Sequence, residues 1–304
     1  MSNRITQMMV ARSVLTDLQS TSERLSATQR KLSSGKEITR PSDDPYGATR
    51  AIGLRSELEA TRQYQRNVDD GIAWANATDV SLGKIGDAAQ RVRELLVQGA
   101  SDAAGPTSRS AAADEIDQLV EALKQEADSA YGGHYIFAGT ATTTRPYAVG
   151  GSDAYAGNGG AIMREIGPGV SVPINVVGSD LLGSGQAAAD GKFLNVLRDI
   201  ADHLRAGTPA ASDALRTTDL RALDSNLDAL MRARAGVGAT VNRLETAASR
   251  LSEVEETQIG LLSKTEDADM AKTMIDFSMQ QSVYQSALKS GANIVQASLL
   301  DFLR

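Results

Sequence analysis

The seven prolines stand at 41, 45, 106, 146, 168, 173 and 209, which leaves residues 46–105 and 210–304 free of the residue that breaks helices. Both tracts carry apolar residues at the spacing of one helix face. Val68, Ile72, Ala75, Ile85, Ala89, Val92 and Leu96 mark the first; Leu220, Leu223, Leu227, Leu230, Val237, Val241, Leu244, Ala248 and Leu251 mark the second. A helix from about Pro45 to Gly99 would be roughly 80 Å long at ~1.5 Å per residue. Apolar on one stripe only, such helices must lie against one another. A shorter helix with Ile116, Leu119, Leu123 and Ala127 on one face is expected after Gly105-Pro106.

Two joints interrupt the pattern. In LSSGKEITRPSDDPYGATRA (32–51), Gly35 sits where a left-handed C-cap ends a first helix near Ser34. Pro41 biases Arg40 away from the α region, and Asp44 before Pro45 reads as an N-cap followed by the first helical residue. Asp43 and Asp44 both place negative charge at the positive end of that helix. In SKTEDAD (263–269), Ser263 and Glu266 fit a capping box that would start another helix.

Beyond the second joint, Met270, Met274, Phe277, Gln281, Tyr284, Leu288, Gly291, Val295, Ser298 and Phe302 form one heptad series. The first helix carries a similar stripe through Met8, Ala11, Leu15, Leu18, Leu25 and Leu32. The two seams are expected to bury each other, so that the chain goes out along one rod and returns beside it. About half of the 27 glycines fall between Gly132 and Gly191, where HYIFAGT (134–140), RPYAV (145–149), AIMREI (161–166) and VSVPINVV (170–177) read as β runs, with GNGGA (157–161) as a hairpin tip. Residues 189–207 return to helix. The expected division is 1–40 with 265–304 as paired terminal coiled-coil helices, 41–131 with 189–264 as a long-helix rod, and 132–188 as a small β-rich insert. The fold class is therefore mainly α.

Composition removes several classes of function. A net charge of -7 and a pI near 5.0 give no basic footprint for nucleic acid or anionic membrane. No apolar run approaches a membrane span, and MSNRITQMMVARS lacks the apolar core of a cleaved secretory signal. The absence of cysteine excludes disulfides and thiolate metal sites. His134 and His203 have no second histidine at ligand spacing, and GKEIT (35–39) departs from a phosphate loop at both the leading glycine and the residue after lysine. Neither a catalytic group, a cofactor, a metal nor a small-molecule substrate is indicated. Asp43 and Asp44 are better explained by capping than by catalysis, and Met8, Met9, Met270 and Met274 by seam packing than by metal. The sequon Asn76-Ala77-Thr78 lies inside a long helix, a poor place for a glycan.

The joint sequence LSSGKEITRPSDDPYGATRA closely resembles the signature of bacterial flagellins and flagellin-like hook-associated proteins. EDADMAKTMIDFSMQQSVYQSALKSGANIVQASLLDFL, VGATVNRLE (237–245) and QRVRELLVQ (90–98) resemble further motifs of the same family, in the same order, so the resemblance spans essentially the whole chain. PSDDP (41–45), the Gln63–Asn67 run QYQRN, GGHYIFAGT and the ending SLLDFLR are more similar to the hook-associated branch than to a filament flagellin.

The resemblance implies terminal helices in an inner coiled-coil layer, long helices outside them and the insert outermost. It implies no enzyme, but a self-assembling structural subunit exported unfolded through the flagellar type III apparatus to the extracellular flagellum. There it would form a homo-oligomeric ring at the hook–filament junction, between another hook-associated junction protein and flagellin, after a cytoplasmic export chaperone has shielded its C-terminal seam. A short flagellin that builds the filament itself is the alternative, and heptads alone would also permit a coiled-coil scaffold. Gly35, Pro41, Asp43, Asp44 and Pro45 would form the inter-domain joint. Arg91 and Leu95 would be exposed in a segment which in flagellins meets an innate immune receptor, or would serve lateral packing.

Overall fold

The computed structural model describes residues 2–101 and 104–302. Its helices are α1 (Ser2–Ser34), α2 (Pro45–Gly99), α3 (Pro106–Ala127), α4 (Gly178–Leu181), α5 (Phe193–Ala206), α6 (Pro209–Ala214), α7 (Leu220–Glu266) and α8 (Met270–Phe302). Its strands are β1 (Ala130–Tyr131), β2 (His134–Tyr135), β3 (Met163–Gly167) and β4 (Val170–Pro173). The protein is mainly α, with a small β-containing insert between α3 and α5. It divides into two compact units, one of Thr61–Glu253 and one made from both ends of the chain, up to Ala60 and from Val254. Helices α2 and α7 each continue from one unit into the other.

The Thr61–Glu253 unit has a continuous apolar core. Along α2 the buried residues Val68, Ala75, Leu82, Ile85, Ala89, Val92 and Leu96 follow the three-four spacing. On α7 the buried positions Leu223, Leu230, Val237, Leu244 and Leu251 recur every seventh residue. Helix α3 adds Ile116, Val120 and Leu123, and α5 adds Phe193, Leu194, Leu197, Ile200 and Leu204. The ion pairs Arg93–Asp224 and Arg234–Asp79 tie α2 to α7, which run in opposite directions here. Gly71 of α2 allows a close approach, since a Cβ would stand 3.1 Å from Leu244 Cδ1.

The insert is less strand-like than its composition suggests. β1 and β2 are two residues each and pair antiparallel across Gly132-Gly133; β3 and β4 pair across Pro168-Gly169 with a bulge near Ile166. RPYAV (145–149) forms no strand. Tyr147 instead points into the core, its amide donating to Asp128 and its hydroxyl to the Gly183 carbonyl. GNGGA is a loop, not a hairpin tip. Asn158 Oδ1 accepts from the amide and hydroxyl of Thr140, and Gly139 (φ +67°) passes so close that a Cβ would meet the Asn158 carbonyl oxygen at 1.9 Å. Outside the two short ladders, side-chain bonds of this kind supplement the backbone bonds that hold the segment. Ile136, Phe137, Tyr147, Ile166, Val172 and Ile174 belong to the same core as the long helices, so residues 132–188 are part of the Thr61–Glu253 unit.

A charge cluster fastens the insert from below. Lys124 is 0 % exposed, and its ammonium donates to Glu121, Asp153 and the Gly151 carbonyl. Arg198 of α5 reaches Asp117, Glu121 and Asp153, so the buried Lys124 and the half-buried arginine and carboxylates satisfy one another.

Between α6 and α7 the chain makes one π-helical turn, Leu215–Asp219. The extra residue turns Asp219 toward His203, 2.6 Å away, and Arg216 Nε onto the Ala100 carbonyl after the end of α2. Thr78, the hydroxyl residue of the sequon, is fully buried and bonded to the Trp74 carbonyl.

Candidate assembly interface

The unit formed by the chain ends holds the two terminal helices. α1 and α8 lie against each other in antiparallel fashion: Thr28 Oγ1 donates to Gln280 Oε1 at 2.8 Å, and a Cβ on Gly291 would stand 3.1 Å from Val14 and 3.4 Å from Leu18. Burial identifies the facing stripes as Val14, Leu18, Thr21, Leu25, Thr28 and Leu32 on α1 and Thr273, Phe277, Gln280, Tyr284, Ala287 and Gly291 on α8. Both keep a strict four-three repeat.

This corrects the phase of the expected seam. Leu18, Leu25, Leu32, Phe277 and Tyr284 lie on the facing stripes, but Leu15 is 66 % exposed and Met270, Met274 and Leu288 are exposed as well. The physical reason is that α8 is apolar on two faces. Polar and small residues, namely Thr273, Gln280, Ala287 and Gly291, meet α1, while Met270, Met274, Ile275, Met279, Val283 and Leu288 point away from it. The side chains of Met8, Ala11, Val295 and Phe302 lie outside the described residues.

At the first joint the local chemistry acts as its residues dictate. Gly35 adopts φ +70° and returns its amide to the Lys31 carbonyl. Asp44 Oδ1 accepts from the amides of Tyr46 and Gly47, capping α2 ahead of Pro45. Asp43 differs from the expectation: its Oδ2 takes the Thr39 hydroxyl and the amides of Thr39 and Arg40, closing the loop and not the helix end. The Thr39 hydroxyl and the Arg40 amide hold this carboxyl below the usual carboxylate range. Pro41 is exposed on the outside of the turn.

The second joint is shorter than the sequence suggests and has a different cap. Helix α7 continues through Ser263 to Glu266; the break is Asp267–Asp269, and Asp269 caps α8 by accepting the Lys272 amide. The capping box does not form because Glu266 is occupied elsewhere. Only 4 % exposed, it is clamped by Lys36 and Arg55. Around it, the Glu37 amide donates to the Glu266 carbonyl at 2.7 Å and the Ala268 amide to the Gly35 carbonyl at 2.9 Å, an antiparallel bridge that fastens the two joints together. The meeting of Lys36, Arg55 and Glu266 is one that no local pattern reveals, since it depends on the fold.

Arg91 is exposed and held by Glu94 and Glu115, which raise its basicity chiefly through the Glu115 hydrogen bond. Leu95 is 3 % exposed and packs in the core, so the expected surface position at Leu95 does not exist in the folded chain. Among the described residues no group of three or more His, Asp or Glu is placed to hold a metal, and no helix is long and apolar enough to cross a membrane.

Residues 5–142 match the family model of the bacterial flagellin N-terminal helical region, and residues 220–303 match that of the C-terminal helical region. The chain is 28% identical to the flagellin of Bacillus subtilis over 318 residues, covering 99% of this chain and 100% of that protein. It is 26% identical to flagellar hook-associated protein 3 of Escherichia coli, covering 88% of this chain and 90% of that protein. Its fold is similar to that of Bacillus cereus FlgL, with a TM-score of 0.57 and 22% identity, covering 69% of this chain and 99% of that one. The chain belongs to the bacterial flagellin family, whose members are structural components of the flagellum. The geometry above is thus that of a flagellar structural subunit, with its terminal helices as the candidate assembly surface.

Proposed function

We propose that the protein is a hook-associated adapter, a ring of copies at the hook–filament junction that joins another hook-associated protein below to flagellin above. The observation that carries this reading is the likeness in fold to Bacillus cereus FlgL, which extends over nearly all of that chain. The similarity to a hook-associated protein of Escherichia coli supports it. In this reading residues 1–40 and 265–304 form the inner assembly layer, and the exposed apolar face of α8 meets neighbouring subunits in the ring. Export proceeds unfolded through the type III apparatus to the outside of the cell, with a cytoplasmic chaperone covering that face beforehand. A chain without cysteine and rich in locally encoded helix suits such a route.

A second reading, a short flagellin that forms the filament, is favoured by the alignment with Bacillus subtilis flagellin along that protein's full length. Quantitative mass spectrometry of intact hook–filament preparations separates the two. An adapter is scarce, proportional to hook protein and unchanged when filaments are sheared short. An amount that follows filament length makes the chain a flagellin.

A further inference from the structure

We propose that Glu266 is the register pin of the terminal helix pair: its buried carboxylate, gripped by Lys36 and Arg55, fixes where along each other α1 and α8 meet.

The seam cannot do this unaided. On α1, Leu18, Leu25 and Leu32 stand seven apart, and so do Thr21 and Thr28. A slip of one heptad would lay leucine on leucine, and Thr21 would take the place of Thr28 opposite Gln280. The side-chain hydrogen bond described across the pair, Thr28 to Gln280, would simply be remade. Polar positions select a register only where a slip leaves them without a partner.

The joint has no such degeneracy. α1 ends at Ser34 and α8 begins at Met270, so the bonds Glu37 amide to Glu266 carbonyl and Ala268 amide to Gly35 carbonyl set the end of α1 and the start of α8 at once. Those backbone bonds flank a side chain 4 % exposed whose two oxygens each face a different cation, Lys36 and Arg55. A slip by a heptad would tear the bridge and leave a buried carboxylate without its partners, a heavy cost. Beside the bridge, Lys31 pairs with Glu37, and Asp269 caps α8. Glu266 is therefore a positioning residue for the terminal helix pair whose outer face the adapter reading assigns to assembly. Its role is read in the free chain, so failure of the pin and failure of the junction reading are separate results.

The chain has no cysteine, so engineered pairs report the register directly. The full-length chain carrying Thr28→Cys with Gln280→Cys reports the native register, and Thr21→Cys with Gln280→Cys reports the slipped one. Initial rates of intramolecular disulfide formation with oxidised glutathione are compared at high dilution. With Glu266 intact the native pair closes about tenfold faster than the slipped pair, and Glu266→Gln or Glu266→Ala brings the ratio close to one. Swapping the charges (Glu266→Lys with Lys36→Glu and Arg55→Glu) restores the preference. The emission of Trp74, the single tryptophan, verifies that the Thr61–Glu253 unit is intact in every variant. A ratio unchanged in Glu266→Ala, or no preference in the parent pair, overturns the proposal.

Discussion

The two units bury apolar surface in opposite ways. In Thr61–Glu253 the long helices, the insert and α5 share one core, and the large apolar side chains of their inner faces are nearly inaccessible. In the unit built from the chain ends, Ala51 and Leu58 are the buried apolar side chains among the described residues, whereas Leu15, Tyr46, Ile52, Met274, Ile275, Met279 and Val283 are exposed. The first unit is finished within one chain. The second holds an exposed apolar face on α8 that no described residue covers, the kind of surface that the proposed adapter would use for contact with neighbours. A mixed seam, in which Thr273, Gln280, Ala287 and Gly291 stand between Phe277 and Tyr284, pairs α1 with α8 while leaving the methionine-rich face of α8 free.

The contrast makes its largest prediction in the core. Leu123→Ala, at a fully buried position on α3, costs about 3 kcal/mol in urea-induced unfolding; a cost near that of a surface change would show that the core is looser than its burial indicates. Lys124→Met is expected to cost roughly as much, because it removes the buried cation of a charge cluster and leaves Arg198 as the cluster's remaining cation for Glu121 and Asp153. Retention of native stability in Lys124→Met would mean that the cluster is solvated.

Acid sharpens the same contrast. Burial raises the carboxyls of Asp117, Glu121 and Asp153, but this is outweighed by Arg205 and Arg198 at Asp117, by the Gly150 amide and Lys124 at Glu121, and by Arg198 and Lys124 at Asp153, so all three end below their ordinary range. Lowered carboxylates stabilise fully above the unfolded pKa of about 4, and that contribution is lost as pH falls through their folded values. Thermal melting followed by Trp74 fluorescence should therefore hold steady from neutrality to about pH 4 and decline below it. A decline that begins near neutrality would assign the sensitivity to other groups.

Smaller effects belong to the terminal pair. Leu25→Ala, half-buried on the α1 seam, is expected to cost about 1 kcal/mol at most in the free chain, well short of Leu123→Ala. Equal costs would erase the distinction between the units. Ile275→Ser, at a position 69 % exposed, should leave stability within about 0.5 kcal/mol while reducing incorporation into flagella, measured by the amount of chain recovered with purified hooks. Normal incorporation would remove the exposed face from the assembly surface.

Much of this organisation is written locally in the chain. Gly35 ending α1, Asp44 and Pro45 opening α2 and the continuous helix to Gly99 follow from residue-level geometry, and the sequence places each of them. What depends on distant partners is not written there. Many apolar residues of α8 lie on the face that α1 leaves uncovered, so hydrophobic spacing alone selected Met270, Met274 and Leu288 over Thr273, Gln280 and Ala287. Glu266 looks like a capping residue until Lys36 and Arg55 arrive from elsewhere in the chain. RPYAV carries β-type residues, yet Asp128 and Gly183 claim the polar atoms of Tyr147 and no partner strand remains to be paired.

Hydrogen exchange of the free chain against the chain in isolated hook–filament assemblies tests the central claim most directly. The account predicts that amides from Met270 to Leu288 exchange much more slowly once assembled, while those from Leu82 to Leu96 are slow in both states. Equal protection of α8 in both states would mean that its exposed face is not where subunits meet.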